Sequence, residues 1–241
     1  MCVIYLAFGQ HTDHPLILLA NRDEYYDRPS SAAAYWKDFP YIYGGRDLVG
    51  SGTWLGVTKG GRFAAVTNYR DPSVPTGSLS RGGLVSDFLK FNERAEHYLN
   101  RIKKAAHEYS GFNLLVGEIA STKRELYYYS NRGDAIQKLT PGIYGLSNHR
   151  LDMPWPKVTK GKARFMELIQ TLEISNESFF EILSDESLAN DDDLPSTGVP
   201  YETEKAISSI FIKTPGYGTR CSTVLTFDNN FDWKLEERVF A

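Results

Sequence analysis

The sequence predicts a single α+β domain over residues 1–241, antiparallel sheet covered by helices. Three observations carry that prediction. Apolar runs near both ends are of strand length, and turn-forming residues punctuate them. Helix-period and strand-like segments alternate in blocks: strands, helices, strands, helices, strands. Aromatics reach 13%, with 15 Tyr and 13 Phe, which suits pleated surfaces.

The elements are justified in order. Residues 2–8 and 16–21 are apolar runs joined by His11-Thr12-Asp13-His14-Pro15, the grammar of a hairpin, so the first strand begins at Cys2. Strands follow at 54–58 and 63–67 around Lys59-Gly60-Gly61-Arg62, where glycine supplies the positive φ of a tight turn. Residues 68–83 hold Pro72, Pro75, Gly77 and Gly82, and a connection of that length is often functional. Helical spacing then covers 84–91 and 93–108. Short strands are expected at 112–118, 125–130, 135–139 and 143–147, with Asn131-Arg132-Gly133-Asp134 as a turn. A helix over 158–172 places Phe165, Leu168, Ile169 and Leu172 on one face, and a second covers 177–183. Asp191-Asp192-Asp193 reads as a solvated loop, because it lacks the ligand spacing of a calcium loop. Strands at 221–227 and 231–239 close the chain around Asp228-Asn229-Asn230, the last alternating Phe231, Trp233, Leu235 and Val239 with charged residues.

Composition narrows the function. The net charge is −3, and the longest Lys/Arg cluster is the pair Lys103-Lys104, so dedicated nucleic-acid binding is not expected. No apolar stretch approaches the roughly 20 residues of a membrane span. The start has neither a basic region nor a small-residue cleavage site, so it reads as a strand rather than a secretory signal. Two cysteines, Cys2 and Cys221, make no disulfide framework and no CxxC motif, which fits a reducing, cytoplasmic setting. No metal site is expected.

Four segments place polar or reactive groups at strand ends: Met1-Cys2, Asn21 to Glu24, Thr67 to Asp71 and Gly218 to Thr223. Two readings of Cys2 stand side by side. It is a small hydrophobe opening a strand, or, once Met1 is trimmed, a thiol and a free α-amine on one residue. An α-amine titrates near 7.7–8.0 and can take the thiol proton at neutral pH. In Asn21-Arg22-Asp23-Glu24, Arg22 can fork onto a carboxylate or phosphate and Asp23 can hold an amine, or the segment is a self-neutralising corner.

These segments carry a resemblance. Met-Cys at the start, Leu-Ala-Asn-Arg-Asp-Glu-Tyr-Tyr-Asp-Arg-Pro at 19–29, Gly-Thr-Trp-Leu-Gly-Val at 52–57, Ala-Ala-Val-Thr-Asn-Tyr-Arg at 64–70, Ser-Arg-Gly at 80–82, Gly-Leu-Ser-Asn at 145–148, Pro-Trp-Pro-Lys-Val at 154–158 and Gly-Thr-Arg-Cys-Ser-Thr-Val at 218–224 span nearly the whole chain. Together they resemble the NRDE-motif family, also called the transport and Golgi organisation protein 2 family, a branch similar to the N-terminal nucleophile (Ntn) hydrolases. The resemblance implies a four-layer αββα sandwich with largely antiparallel sheets and the nucleophile on its first strand. It implies catalytic roles for Cys2, Arg22, Asp23, Asn68 or Asn148, and Arg220, and one shared pocket for all of them. One departure stands out: related cysteine hydrolases separate the early Arg and Asp by two residues, whereas Arg22 and Asp23 are adjacent, so their side chains are set to diverge.

Two functions follow. As a hydrolase, Cys2 attacks a small non-peptide amide or thioester while Asn68 and backbone N–H groups stabilise the oxyanion, and no cofactor is required. As a carrier, the same cleft holds an amphipathic anion, haem or acyl-CoA, through Asn21, Arg22, Glu24, Arg70, His149 and Arg220, in keeping with the haem-trafficking and lipid roles the resemblance implies. For haem, Cys2 and His149 are candidate ligands, with His11, His14, His97 and His107 scattered elsewhere.

Overall fold

In the strand β1 (Cys2–Phe8) every residue after Cys2 is buried, so both faces of the strand need cover. The computed structural model, which describes residues 2–73, 77–133, 135–171 and 174–241, supplies it with four layers. Beside β1 lie β2 (Leu16–Tyr25) and the strand that we number β10 (Gly142–Leu146), both antiparallel to it. The strand β12 (Tyr217–Phe227) pairs with β2, and β11 (Lys213–Thr214) and β13 (Trp233–Val239) pair with β12. The second sheet is a sequential meander of β3 (Ser30–Tyr35), β4 (Ile42–Asp47), β5 (Leu55–Thr58), β6 (Arg62–Asn68), β7 (Phe112–Ala120), β8 (Lys123–Ser130) and β9 (Gln137–Lys138).

Strand alternation sorts the core into three seams. Ile4, Leu6 and Phe8 of β1 join Leu16 and Leu18 of β2 against Leu55, Val57, Phe63 and Leu115 of the meander, which makes the seam between the sheets. Val3, Tyr5 and Ala7 point the other way, onto Phe165 and Ile169 of helix α3 (Pro156–Ile169) and Phe179 and Phe180 of α4 (Asn176–Leu183). The outer face of the meander is covered by α1 (Arg81–Lys90) and α2 (Ala95–Lys104) through Leu84, Phe88, Tyr98 and Leu99. The order is helix, sheet, sheet, helix, as the resemblance implied.

Several boundaries differ from the expectations. β2 runs on to Tyr25, so Asn21 to Glu24 lie inside the strand rather than in a turn after it. α1 starts three residues early at Arg81, and α3 starts at Pro156, where the fixed φ of proline suits the first turn. The helix expected over 93–108 is α2 followed by a 3₁₀ turn, Ala106–Glu108. β3, β4 and α5 (Tyr201–Ala206) had no sequence signal of their own. Asp191–Asp193 is an exposed 3₁₀ turn, its Asp191 paired with Lys205. The expected roles of Met1, Pro75, Asp134 and Leu172 lie outside the described residues.

Candidate active site

The register of the first sheet sets a row of three residues. Cys2 lies opposite Arg22 on β2, and Arg22 lies opposite Cys221 on β12. By alternation these share the face that looks toward the second sheet, while Asn21 and Asp23 face the helices. The adjacent Arg22 and Asp23 therefore diverge.

Arg22 is buried and lies over the ring of Trp54, its guanidinium carbon 4.2 Å from the centroid, with Asp47 3.8 Å away. Asp47 is held in turn by Arg28 at 2.7 Å. Burial alone would raise the Asp47 carboxyl, but hydrogen bonds from Arg28 and the backbone of Gly50 bring it below the usual range. On the helix side, Asp23 Oδ1 accepts from the Thr219 hydroxyl at 2.7 Å, and burial pushes its carboxyl up.

A cavity of about 360 Å³ opens between the two sheets at this end, and Cys2, Arg22, Asp23, Glu24 and Asn68 are on its wall. Its far side comes from the loop before β5 and the start of α1, through Trp54, Ser80 and Arg81. Two glycines allow that closure: a Cβ on Gly52 would meet the Gly82 carbonyl carbon at 2.3 Å, and Thr53 N donates to Gly82 O at 3.3 Å. Arg81 and Arg22 both act electrostatically on Cys2. Burial nonetheless pushes the Cys2 thiol up from its ordinary value, and nearby Asp23 adds to that, so the thiolate forms only with a base beside it.

Asn68 is the last residue of β6, and a polar belt fixes it. The Asn148 side-chain amide donates to the Asn68 carbonyl at 3.1 Å, and Ser147 Oγ donates to the Cys2 carbonyl at 3.0 Å. Thr67 Oγ1 donates to Ser147 O at 2.7 Å, tying the same turn to β6. Gly-Leu-Ser-Asn thus joins the sheets at the site, with Asn148 one step behind Asn68.

The remaining candidates lie elsewhere. Arg220 occupies a β-bulge, where the register steps from Thr219 opposite Asp23 to Cys221 opposite Arg22. Its guanidinium donates to the carbonyls of Ala241, Tyr25 and Arg28 at 2.6, 2.8 and 2.9 Å, which turns it onto the backbone and away from the Cys2 cavity wall. Asn21 is spent on structure too: its amide donates to Leu183 O and Ile210 O and its Oδ1 accepts from Ser222, so the expected ligand contact is replaced by a helix-to-sheet tie. Arg70 and His149 line a second pocket of about 470 Å³ with Tyr69 and Trp155. There Arg70 is buried against Glu204 and lies 4.8 Å over Trp155, and Tyr69 meets His149 Nε2 at 2.8 Å. Cys2 and His149 therefore line different pockets, so the two candidate haem ligands do not converge. His11 and His14 stack on each other in the β1–β2 hairpin. A larger cleft, about 630 Å³, includes Tyr128, Arg150 and Asp152 in its lining but neither cysteine nor histidine.

Sequence reasoning gave no role to Arg28, Asp47, Trp54, Arg81 or Lys157. Four of them were in view, Arg28 in the segment 19–29 and the others in the Gly-Thr-Trp, Ser-Arg-Gly and Pro-Trp-Pro-Lys-Val segments, and only the fold shows which faces they take.

The fold and site define a four-layer αββα protein with a cysteine opening the first strand of one sheet beside a buried arginine. More narrowly, a family model described as Transport and Golgi organisation 2 matches residues 1–241, and the chain belongs to that family. It is 34% identical to the human Transport and Golgi organization protein 2 homolog, over 99% of this chain and 92% of the relative. It is 28% identical to the Drosophila melanogaster Transport and Golgi organization protein 2, over 95% and 88%. Similar solved structures include the Caenorhabditis elegans ortholog of N-acylethanolamine-hydrolyzing acid amidase, with TM-score 0.45 and 13% identity over 93% of this chain and 92% of that one. A variant of conjugated bile acid hydrolase from Clostridium perfringens gives TM-score 0.49 and 10% identity, over 100% and 96%.

Proposed function

We propose that the chain is a cysteine hydrolase of the N-terminal nucleophile type, acting on a small non-peptide amide or thioester. The observation that carries the reading is the shared wall of one inter-sheet cavity by Cys2, Arg22, Asp23 and Asn68. Removal of Met1 would leave an α-amine on Cys2. The amine takes the thiol proton, and the thiolate attacks the carbonyl carbon, with Asn68 and backbone N–H groups receiving the oxyanion. Collapse breaks the bond to the leaving amine or thiol, which departs with the proton held by the α-ammonium. Water then attacks the acyl-cysteine, giving its proton to the α-amine, and releases the carboxylic acid with the thiol restored. Arg22 would bind the anionic part of the substrate, and Asp23 would orient the α-amine.

The reading is tested by turnover of an amide and thioester panel by the wild type and by Cys2→Ala. Loss of all turnover in Cys2→Ala supports it, and undiminished turnover counts against it.

A carrier reading for haem or acyl-CoA draws on one further observation: Leu48, Val49 and Leu79, all exposed, rim the mouth of this cavity or lie beside it. For a carrier, affinity would be unchanged in Cys2→Ala and weakened in Arg22→Ala. The reading includes cytoplasmic residence, supported by two free thiols. Among the described residues no helix is long and apolar enough to cross a membrane.

A further inference from the structure

Lys157 is the second residue of α3 and only 4% exposed, and its Nζ has no hydrogen-bond partner among the described residues. A buried ammonium without hydrogen bonds is costly, and a methionine of similar length would fill the space without that cost. The position is rigidly set. The Tyr5 hydroxyl of β1 donates to the Lys157 carbonyl at 2.7 Å, and α3 lies against the same strand through Phe165 and Ile169. From there, on the helix side of the sheet, the ammonium acts on Asp23 of β2 and on Cys2 of β1.

We propose that Lys157 is a positioning residue of the Cys2 site: a buried cation behind the first two strands that keeps Asp23 ionised and favours the thiolate of Cys2. The inference rests on the reading of Cys2 as the nucleophile. Charge bookkeeping behind the strands supports it. Asp23 and Glu204 are buried acids, Arg70 is engaged by Glu204 and Trp155, and Lys157 is a buried side-chain cation coupled to Asp23 there. Burial lowers Lys157 to about 8, against the pull of Asp23, so its charge is retained at neutral pH yet titrates close to it. The other groups facing this centre are Arg22 and Glu24 from β2, Arg81 from α1, Tyr217 from β12 and, with Met1 removed, the α-amine of Cys2 itself. Arg22 and Arg81 act from the cavity side, so Lys157 supplies positive charge on the side they do not reach.

The test is the pH dependence of Cys2 alkylation by iodoacetamide in the full chain, read on the Cys2 peptide by mass spectrometry so that Cys221 is counted separately. In Lys157→Met the midpoint should rise by about one unit, making alkylation near pH 7 about tenfold slower, as expected for loss of one nearby opposite charge. Lys157→Arg, which keeps a charge that does not titrate, should hold the midpoint at or below that of the wild type. If Lys157→Met does not fold, Lys157→Gln gives the same comparison. An unchanged midpoint in a folded neutral variant overturns the proposal, because a merely structural lysine would alter melting and leave the thiol alone. Turnover on the panel is a separate readout. A shifted midpoint without any turnover sinks the hydrolase reading and leaves the coupling of Lys157 to Cys2 standing.

Discussion

The guanidinium of Arg22 lies 4.2 Å over the indole of Trp54, joining the Asn-Arg-Asp-Glu segment of one sheet to the Gly-Thr-Trp segment of the other. The contact spans the mouth of the Cys2 cavity and makes Arg22 a wall as well as a charge. Arg22→Ala should therefore destabilise the fold by about 2 kcal/mol, from a desolvated cation–π contact and the loss of the Asp47 partner. Lysine lacks the planar fork, so Arg22→Lys should restore less than half of that loss. Urea midpoints of the three proteins check this, and a neutral Arg22→Ala would show that the contact adds nothing.

Asn68 and Asn148 should separate in kinetics. Removing an oxyanion donor typically costs 10²–10³ in kcat, so Asn68→Ala should lose about that much with KM nearly unchanged. Asn148 holds the Asn68 carbonyl at 3.1 Å, so Asn148→Ala should lower stability by about 1 kcal/mol and kcat by a smaller factor. Steady-state kinetics beside denaturant melts would show it, and equal kcat losses would contradict the division of labour.

The α3–β1 contact admits no side chain at Gly161, where a Cβ would lie 2.1 Å from the Tyr5 ring. Gly161→Ala should cost about 1–3 kcal/mol by overpacking. In a Tyr5→Ala background most of that cost should vanish, since the two positions are in contact. A double-mutant cycle reads the coupling directly, and additive losses would refute it.

Acid stability should carry the mark of Asp185. Burial alone would raise its carboxyl, but hydrogen bonds from Lys160 and Ser187 outweigh that and hold it at about 2, with Lys160 at 2.7 Å and Arg164 at 3.2 Å. The folded value is below the unfolded value of about 3.9, so the stabilisation is complete above about pH 4 and is lost as pH falls toward 2. It amounts to about 2 kcal/mol, and Asp185→Asn should flatten the stability profile in that window. Unfolding free energies from pH 6 to pH 2 test this; an unchanged slope would assign the acid loss elsewhere.

The parts of the fold that were legible in the sequence are those whose burial is uninterrupted. β1 and the β1–β2 hairpin could be read because Val3 to Phe8 and Leu16 to Ala20 are covered on both faces and so must be apolar. β3 and β4 could not, because Ser-Ser-Ala-Ala-Ala-Tyr is largely exposed at a sheet edge and Ile-Tyr-Gly-Gly-Arg-Asp has no alternation. Gly45 is required there by the Trp54 ring, 2.3 Å from where its Cβ would be, a constraint that arises only once the chain has folded. The site divides the same way. Cys2, Arg22 and Asp23 follow from a strand end and a motif, whereas the retirement of Arg220 and Asn21 to backbone contacts depends on a bulge and a helix terminus that no local spacing encodes. Lys157 stood in a quoted motif, but its burial behind Asp23 depends on where α3 docks.

The most direct test of Cys2 as an N-terminal nucleophile is the intact mass of the full chain made in its own cells, before and after brief exposure to N-acyl amides and acyl thioesters. The account predicts loss of one methionine, then a single acyl adduct on Cys2 that decays with turnover and never forms in Cys2→Ala. Retained Met1 together with an unmodified Cys2 across the whole panel would contradict it.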